Sequence, residues 1–475
     1  MLEFYYRFYN KNFKAKSLQL ANEIEEILSN ENIAIETSTE PNISIDYEPL
    51  LGSELFEKLN QLYFTIRRKA KYHLLLQRYL PELKKEPSSK LQFADFFSGA
   101  GGLSQGLINA GFEPAFVNDN YLDALETYYF NHNLSLDRFY NGDIQTLCTD
   151  FHKYKHLFDN VTLVAGGPPC QGFSKANRRN YVIDGESKEK RFIEDKRNVL
   201  YKHFVELLSL IEPEFFVMEN VRGMKNVESE IKNDINDKTG GSYFFAPLIV
   251  DAQNFDVPQS RHRYIMIGGK NFMFIESLKG AIGNRKTSKN RYTVEDALFG
   301  LPEIKTNPEI RNADKDGEAH GFYIKKQTIP TNAFLAGINK NFEGTYIFNH
   351  KSRYNNPNDL EIFRRLPEGG NSLHESIQEL SKYTNRNHIF SDKYYKLKST
   401  EVSKTITSHM RYDCHMYIHP KQARGLSPRE AARIQTFPDD YVFRGGLNSW
   451  YKQIGNAVPV KMAQVIGQEL MKFYK

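Results

Sequence analysis

The chain has 475 residues, 40% of them hydrophobic and 25% charged, and its 63 basic side chains against 58 acidic ones leave a net charge of +5. That is the composition of a soluble globular protein with room for two or three domains, and no apolar run reaches the length needed to cross a bilayer. The slight basic excess suits nucleic acid without demanding it, and three cysteines (Cys148, Cys170, Cys414) with neither a CxxC pair nor a Cys/His ligand spacing exclude a disulfide framework and suggest no metal site.

The opening stretch, MLEFYYRFYNKNFKAK, mixes aromatic and basic residues and lacks the apolar core of a signal peptide, so a cytoplasmic address is expected. Residues 1–90 contain one glycine, Gly52, and read as a helical N-terminal extension, with Leu20, Ile24, Ile27 and Leu28 on one helix face. The hydrophilic joint KKEPSSK at 84–90 separates this part from the rest.

From Leu91 short apolar runs alternate with helical stretches. FADFF (93–97), EPAFVND (113–119), VTLVAGG (161–167), PEFFVMEN (213–220) and RYIMIGG (263–269) read as buried strands, and LSQGLINAGF, YLDALETYYFNH and VLYKHFVELLSLIEP as helices between them. This alternation predicts an α/β fold with a doubly wound parallel sheet over 91–270.

The first strand runs into a glycine turn, SGAGG, in which Gly99, Gly101 and Gly102 let backbone approach a ligand at a helix start. Ser104 stands where a dinucleotide fingerprint has its third glycine, so the turn alone reads equally well as close strand–helix packing. The second strand ends in Asn118-Asp119, and NGDI places Asp143 at the end of another candidate strand. Each aspartate alone reads as a cap or turn residue. Carboxylates placed in series after successive strands point instead to an adenosine-containing cofactor.

The sharpest local signal is VAGGPPCQGFS at 164–174, where a strand feeds a stiff Gly-Gly-Pro-Pro turn that presents Cys170. A cysteine there is poorly placed for packing and well placed to attack a ligand. Glu219 and Asn220 end the next strand on the same edge, where a glutamate in a low-dielectric pocket could donate to a ring nitrogen. In QSRHRYIMIGG, Gln259, Arg261 and Arg263 alternate before a strand, which sends the two arginines to one side.

From about 271 to 400 the sequence is irregular, polar and aromatic. Regularity returns at 424–441, where Ser427-Pro428-Arg429-Glu430 forms a capping box that predicts a helix start, and in the closing helix PVKMAQVIGQELMKFY. The sheet domain is therefore expected to be interrupted by a smaller irregular domain, 271–449, and completed by 450–475.

In this order the motifs resemble those of the DNA (cytosine-5) methyltransferase family. FFSGAGG is similar to its cofactor loop, PPCQGFS to its catalytic loop, and DKRNVLYKHFVELLSLIEPEFFVMENV to the stretch ending in its ENV motif. PQSRHR is similar to its QxRxR motif, and RGLSPREAARIQTFPDDY and QIGNAVP to its last two. The resemblance spans about 93–460 and implies a Rossmann-like S-adenosylmethionine-dependent domain with a target-recognition domain. It implies that Cys170 adds to C6 of a cytosine flipped out of double-stranded DNA, that Glu219 binds N3 and the exocyclic amine, and that Arg263, with Arg261 in the same catalytic set, holds O2. The cofactor contacts it implies are Phe97, Ser98, Gly99, Ala100, Gly101, Gly102, Asp119, Asp143, Pro169 and Asn456.

Asn120 departs from relatives that place a bulky aromatic after the ribose-binding acid. The resemblance further implies a restriction–modification role beside a cognate endonuclease, and a monomer. Three rivals are an RNA cytosine-5 methyltransferase of the same fold, a catalytically inactive DNA-binding protein and a nicotinamide oxidoreductase. Gly172 after Gln171, the long irregular segment and the intact Cys170, Glu219 and Arg263 set weigh against them.

Overall fold

The computed structural model describes residues 91–169, 200–286, 291–308, 321–323, 330–339, 347–380 and 393–475. The N-terminal extension (1–90) and the catalytic-loop residue Cys170 lie outside the described residues.

The first body runs β1 (Gln92–Phe96), α1 (Gly102–Ala110), β2 (Glu113–Asp119), α2 (Leu122–Asn131), β3 (Phe139–Asn141), α3 (Ile144–Thr149), β4 (Val161–Gly166) and α4 (Leu200–Ile211). It continues through β5 (Phe215–Val221), α5 (Glu228–Thr239), β6 (Phe244–Asp251), β7 (His262–Gly269) and α6 (Phe272–Gly283). Seven strands form one sheet in the order β3-β2-β1-β4-β5-β7-β6. The first five pair in parallel, as buried apolar runs joined by helices must. β7 corrects the all-parallel expectation, because it lies antiparallel between β5 and β6. Its link to β6 is short and carries no long helix, so the chain turns back beside its predecessor instead of crossing over. β6 itself is an edge strand that carries Pro247 and exposes Phe244, a position where a missing backbone donor is tolerated.

The second body contains α7 (Val294–Leu298), the two-stranded ladder β8 (Phe322–Tyr323) and β9 (His350–Lys351), α8 (Ala333–Ile338) and α9 (Pro357–Arg365). It ends in α10 (Pro428–Ile434) and α11 (Leu447–Asn456), after which α12 (Val460–Met471) returns to the sheet. The capping box is formed at α10, with Glu430 N–H donating to Ser427 Oγ (3.2 Å) and Ser427 N–H donating to Glu430 Oε2 (2.7 Å). Around it lie arginines that are buried and paired with carboxylates. Arg424 pairs with Glu430 (2.6 Å), Arg433 with Asp439 (2.7 Å) and Arg444 with Glu126 of α2 (2.9 Å). Burying a charge is tolerable only with such partners, and the last pair fastens the second body to the first.

Each face of the sheet is covered. Ile144 and Leu147 of α3, Phe204 and Leu208 of α4 and Ile231 and Ile235 of α5 pack on one side. Leu107 of α1, Met462 and Ile466 of α12 and Ile275, Leu278 and Ile282 of α6 pack on the other. α6 lies beyond residue 270 in the chain, yet its apolar face puts it with the sheet. Among the described residues no helix is long and apolar enough to cross a membrane.

Candidate active site

Strand order reverses between β1 and β4, so the loops leaving their carboxyl ends part and leave a crevice. A cleft of about 580 Å³ occupies that crevice. It brings together Phe97, Ser98, Gly99, Ala100, Gly102, Asp119, Asp143, Pro169, Glu219, Arg261, Arg263 and Asn456, residues spread over most of the chain. Gly101 is buried and is not among the lining residues.

The glycine turn owes its shape to positive backbone φ angles at Phe97 (59°), Gly99 (55°) and Gly101 (85°). Gly101 is irreplaceable on two grounds: its conformation, and the 2.8 Å that would separate an added Cβ from both Tyr128 and the Tyr441 hydroxyl. That hydroxyl donates to Ala100 O and contacts His132 Nε2 at 3.1 Å. Asp119 clamps the same turn, because its Oδ2 accepts from Gly99 N–H (2.8 Å) and its Oδ1 from Tyr121 N–H (2.7 Å). Burial raises the Asp119 carboxyl above its ordinary range. Asp143, at the exposed rim, caps α3 by accepting from Gln145 N–H at 2.8 Å.

Several cleft residues escaped the sequence reading of the site. Asp95 is fully buried, accepts from the Ser104 hydroxyl at 2.5 Å through Oδ2, and has no hydrogen-bond partner for Oδ1 among the described residues. Burial, aided by the nearby Asp119 carboxylate and opposed by the Ser104 bond, pushes it up to about 7. Ser104 in the third-glycine position was the available signal. Lys452 holds its ammonium 3.4 Å from the centre of the Tyr121 ring, the aromatic one place after Asn120. Leu200, first in α4, lines the cleft as well.

On the opposite wall, Asn220 Nδ2 donates to Pro168 O (2.8 Å), which ties the end of β5 to the turn that leads into Cys170. Glu219 Oε1 lies 2.8 Å from Arg263 Nε, with both side chains largely buried. Arg261 also lines the cleft, but its guanidinium is engaged with main chain. It donates to Ile406 O (2.6 Å), twice to Gly455 O (3.3 and 3.2 Å) and to Ala457 O (3.0 Å). Gln259 joins this stitching by accepting from Ile406 N–H (2.7 Å) and donating to Gln435 Oε1 (2.8 Å). Gln435 in turn donates to Ile454 O (2.8 Å) and Ala457 O (3.1 Å). Gly455 must be glycine, since a Cβ there would come within 2.1 Å of Ser408 N. Together these contacts hold Asn456, the last residue of α11, at the cleft.

The sequence profile of the C-5 cytosine-specific DNA methylases matches residues 91–472. The chain is 30% identical over 391 residues to Type II methyltransferase M1.HphI of Haemophilus parahaemolyticus, covering 80% of this chain and 87% of that protein. It is 28% identical over 405 residues to Type II methyltransferase M.DdeI of Desulfomicrobium norvegicum, with 81% and 89% covered. Among solved structures, a prophage-encoded protein from E. coli described as a DNA modification methyltransferase superposes with a TM-score of 0.60 at 26% identity. That match covers 81% of this chain and 99% of the other.

Proposed function

The chain belongs to the C-5 cytosine-specific DNA methylase family, and from that premise we propose that it transfers a methyl group from S-adenosylmethionine to C5 of a cytosine extruded from duplex DNA. The observation that carries this reading is the Glu219–Arg263 pair, 2.8 Å apart, on the wall facing the turn into Cys170 and beside the glycine-turn cleft.

The cleft fits the cofactor. The backbone turn at 98–101 leaves space for a ligand at the start of α1, Asp119 keeps lone pairs for ribose hydroxyls after binding two N–H groups, and the unpaired Asp95 oxygen offers an acceptor for a cationic amine. Asp143, Leu200 and Pro169 would border the adenine end, with Asn456 on the far wall. Bound there, S-adenosylmethionine supplies a methyl group made electrophilic by its sulfonium.

On the base side, the Cys170 thiolate adds to C6, and the ring's electron pair moves toward N3 and O2. Glu219 meets N3 and the exocyclic amine, and Arg263 meets O2, so acid and cation stabilise the charge that develops. C5 is then nucleophilic and takes the methyl group. Loss of the C5 proton to a base and departure of the thiolate restore the aromatic ring. Arg261 acts through others, as a positioning residue that sets the strand bearing Arg263 against the segment bearing Asn456. Sequence discrimination belongs to the second body, whose side chains would read base edges in the major groove. The Type II naming of the relatives suggests the modifying half of a restriction–modification pair for this chain too.

Tritiated methyl transfer to duplex DNA and to RNA of matching sequence, with wild type and Cys170→Ser, tests this. DNA-dependent transfer that the serine variant loses while still binding cofactor is expected, since an alcohol is a far weaker nucleophile. Transfer confined to RNA, or near-normal transfer by the serine variant, would sink the reading.

A further inference from the structure

Cys148, His203 and Glu206 meet on the sheet face opposite α1 and α12. They form the one group of three or more His, Cys, Asp or Glu side chains among the described residues whose donor atoms come together closely enough to share an ion after small movements, all within 4.8 Å of one another. His203 and Glu206 sit at i and i+3 on α4, which puts both on one face of that helix. Their Nδ1 and Oε2 atoms are 3.3 Å apart. Cys148, on the neighbouring α3, is buried and points its Sγ toward His203 O at 3.6 Å, a weak contact. The 55 positions between Cys148 and His203 explain why ligand spacing in the sequence gave no hint of this group.

We propose that Cys148, His203 and Glu206 form a binding site for a soft divalent cation such as zinc, bridging α3 and α4. Thiolate, imidazole and carboxylate are the three protein ligands zinc takes, at about 2.0–2.3 Å, in tetrahedral sites. Tetrahedral bonds of that length put ligand atoms roughly 3.3–3.8 Å apart, so the group has to close by about 1 Å. The side chains that must move are the helix-surface ones, His203 and Glu206, with 19% and 41% of their side-chain surface exposed, and solvent on that side supplies a water as fourth ligand. On binding, the Cys148 S–H proton leaves to solvent and a metal–thiolate bond replaces it. Burial alone does not create such a group. Cys414 is buried more completely and merely donates to Met410 O four residues back. The location has a consequence too, because α3 follows Asp143 and α4 begins at Leu200, both of which border the cofactor cleft. This inference does not depend on the methyltransferase reading.

The test uses the full chain carrying Cys170→Ser, which removes the catalytic-loop thiol as a competing ligand. Titration with Co²⁺ should give one cation per chain with a thiolate-to-cobalt charge-transfer band, and Zn²⁺ should displace it. Adding Cys148→Ser should abolish the band. Adding His203→Gln or Glu206→Gln, on the helix surface where the fold tolerates change, should weaken binding by at least about tenfold, since even outer-shell changes cost that much. Failure of the Cys170→Ser protein to show the band would overturn the site, as would a band that survives Cys148→Ser or is indifferent to both helix-surface variants. If Cys148→Ser does not fold, the two surface variants decide.

Discussion

Arg261 stands just before β7 and Arg263 is its second residue, yet their guanidinium groups meet different partners. Arg263 faces the Glu219 carboxylate and the cleft, whereas Arg261 satisfies the carbonyls of Ile406, Gly455 and Ala457. Truncating them should therefore produce different signatures. Arg261→Ala takes the side-chain donor from the buried carbonyls of Ile406 and Gly455 and should lower stability by on the order of 3 kcal/mol. Arg263→Ala strips the buried Glu219 carboxylate of its partner and should destabilise as well, but its mark is a loss of roughly 10²-fold or more in kcat for the folded enzyme, the scale for removing one preorganised donor to developing charge. Thermal melts beside methyl-transfer rates on both variants check this, and full turnover by Arg263→Ala would refute the assignment. Asp95 gives a second residue-level expectation. Its unfolded value of 3.8 rises to about 7 in the fold, mainly through burial. Between those values the folded protein holds a proton that the unfolded chain releases. The stability this group contributes thus falls as pH climbs from about 4 to about 7 and is level above. Asp95→Asn, neutral throughout, should flatten that part of the melting-temperature profile; a variant profile parallel to wild type would refute it.

At the scale of elements, the capping box around Ser427 shows how a local pattern becomes a structural commitment. The hydroxyl that accepts from Glu430 N–H also meets His350 Nδ1 at 2.8 Å, so one side chain ends α10 correctly and pins it to β9. Ser427→Ala should cost about 0.5–2 kcal/mol for the cap, read as a shift in urea midpoint with unchanged m-value, and a shift within error would mean the cap is redundant. This helix start was legible because cap chemistry is contained in four consecutive residues. The strands β1, β2, β4, β5 and β7 were legible for a related reason, since a strand buried on both faces must be an unbroken apolar run. β6 was not, because an edge strand with Pro247 and a half-wet face has no such run. The antiparallel sense of β7 escaped as well, because strand direction is a property of pairing. The convergence of Glu219 with Arg263 rested on the family resemblance alone, because Arg263 opens β7 and reaches the carboxyl edge of β5 only through that antiparallel pairing. The partners of Arg261 and Gln259 were not legible, since carbonyls 145 and more residues away leave no side-chain pattern to read.

For the whole molecule, the two bodies divide the work unevenly along the chain. Residues 424–446 follow the irregular segment, yet Tyr441 supports the glycine turn, Gln435 holds Ala457 and Arg444 pairs with Glu126. They belong functionally with the cofactor cleft. Ser408 and Arg411 also line the cleft and Ile406 partners Arg261, so an exchange intended to alter the DNA word should replace about 291–400 and leave 401–475 in place. Such a chimera built from a relative should methylate the relative's site and keep its own S-adenosylmethionine affinity, since groove contacts vary with the word whereas cofactor contacts do not. Bisulfite sequencing of the methylated DNA and calorimetry on the chimera give the two readouts. An active chimera faithful to the parent word would move specificity into the sheet body or residues 1–90.

The seating of α12 against the same sheet face as α1 has a consequence in time. One wall of the cleft is made early in synthesis, by the turn after β1, and the facing wall is made long after it, by α11 and the turn that leads into α12. Chains grow at about 5–20 residues per second and fold N-terminal parts first. For most of its time on the ribosome the nascent protein therefore holds half a pocket and cannot bind cofactor productively. A messenger truncated before α11 would yield protein that is inert toward DNA, and a cell translating this gene would gain methylation only from finished molecules.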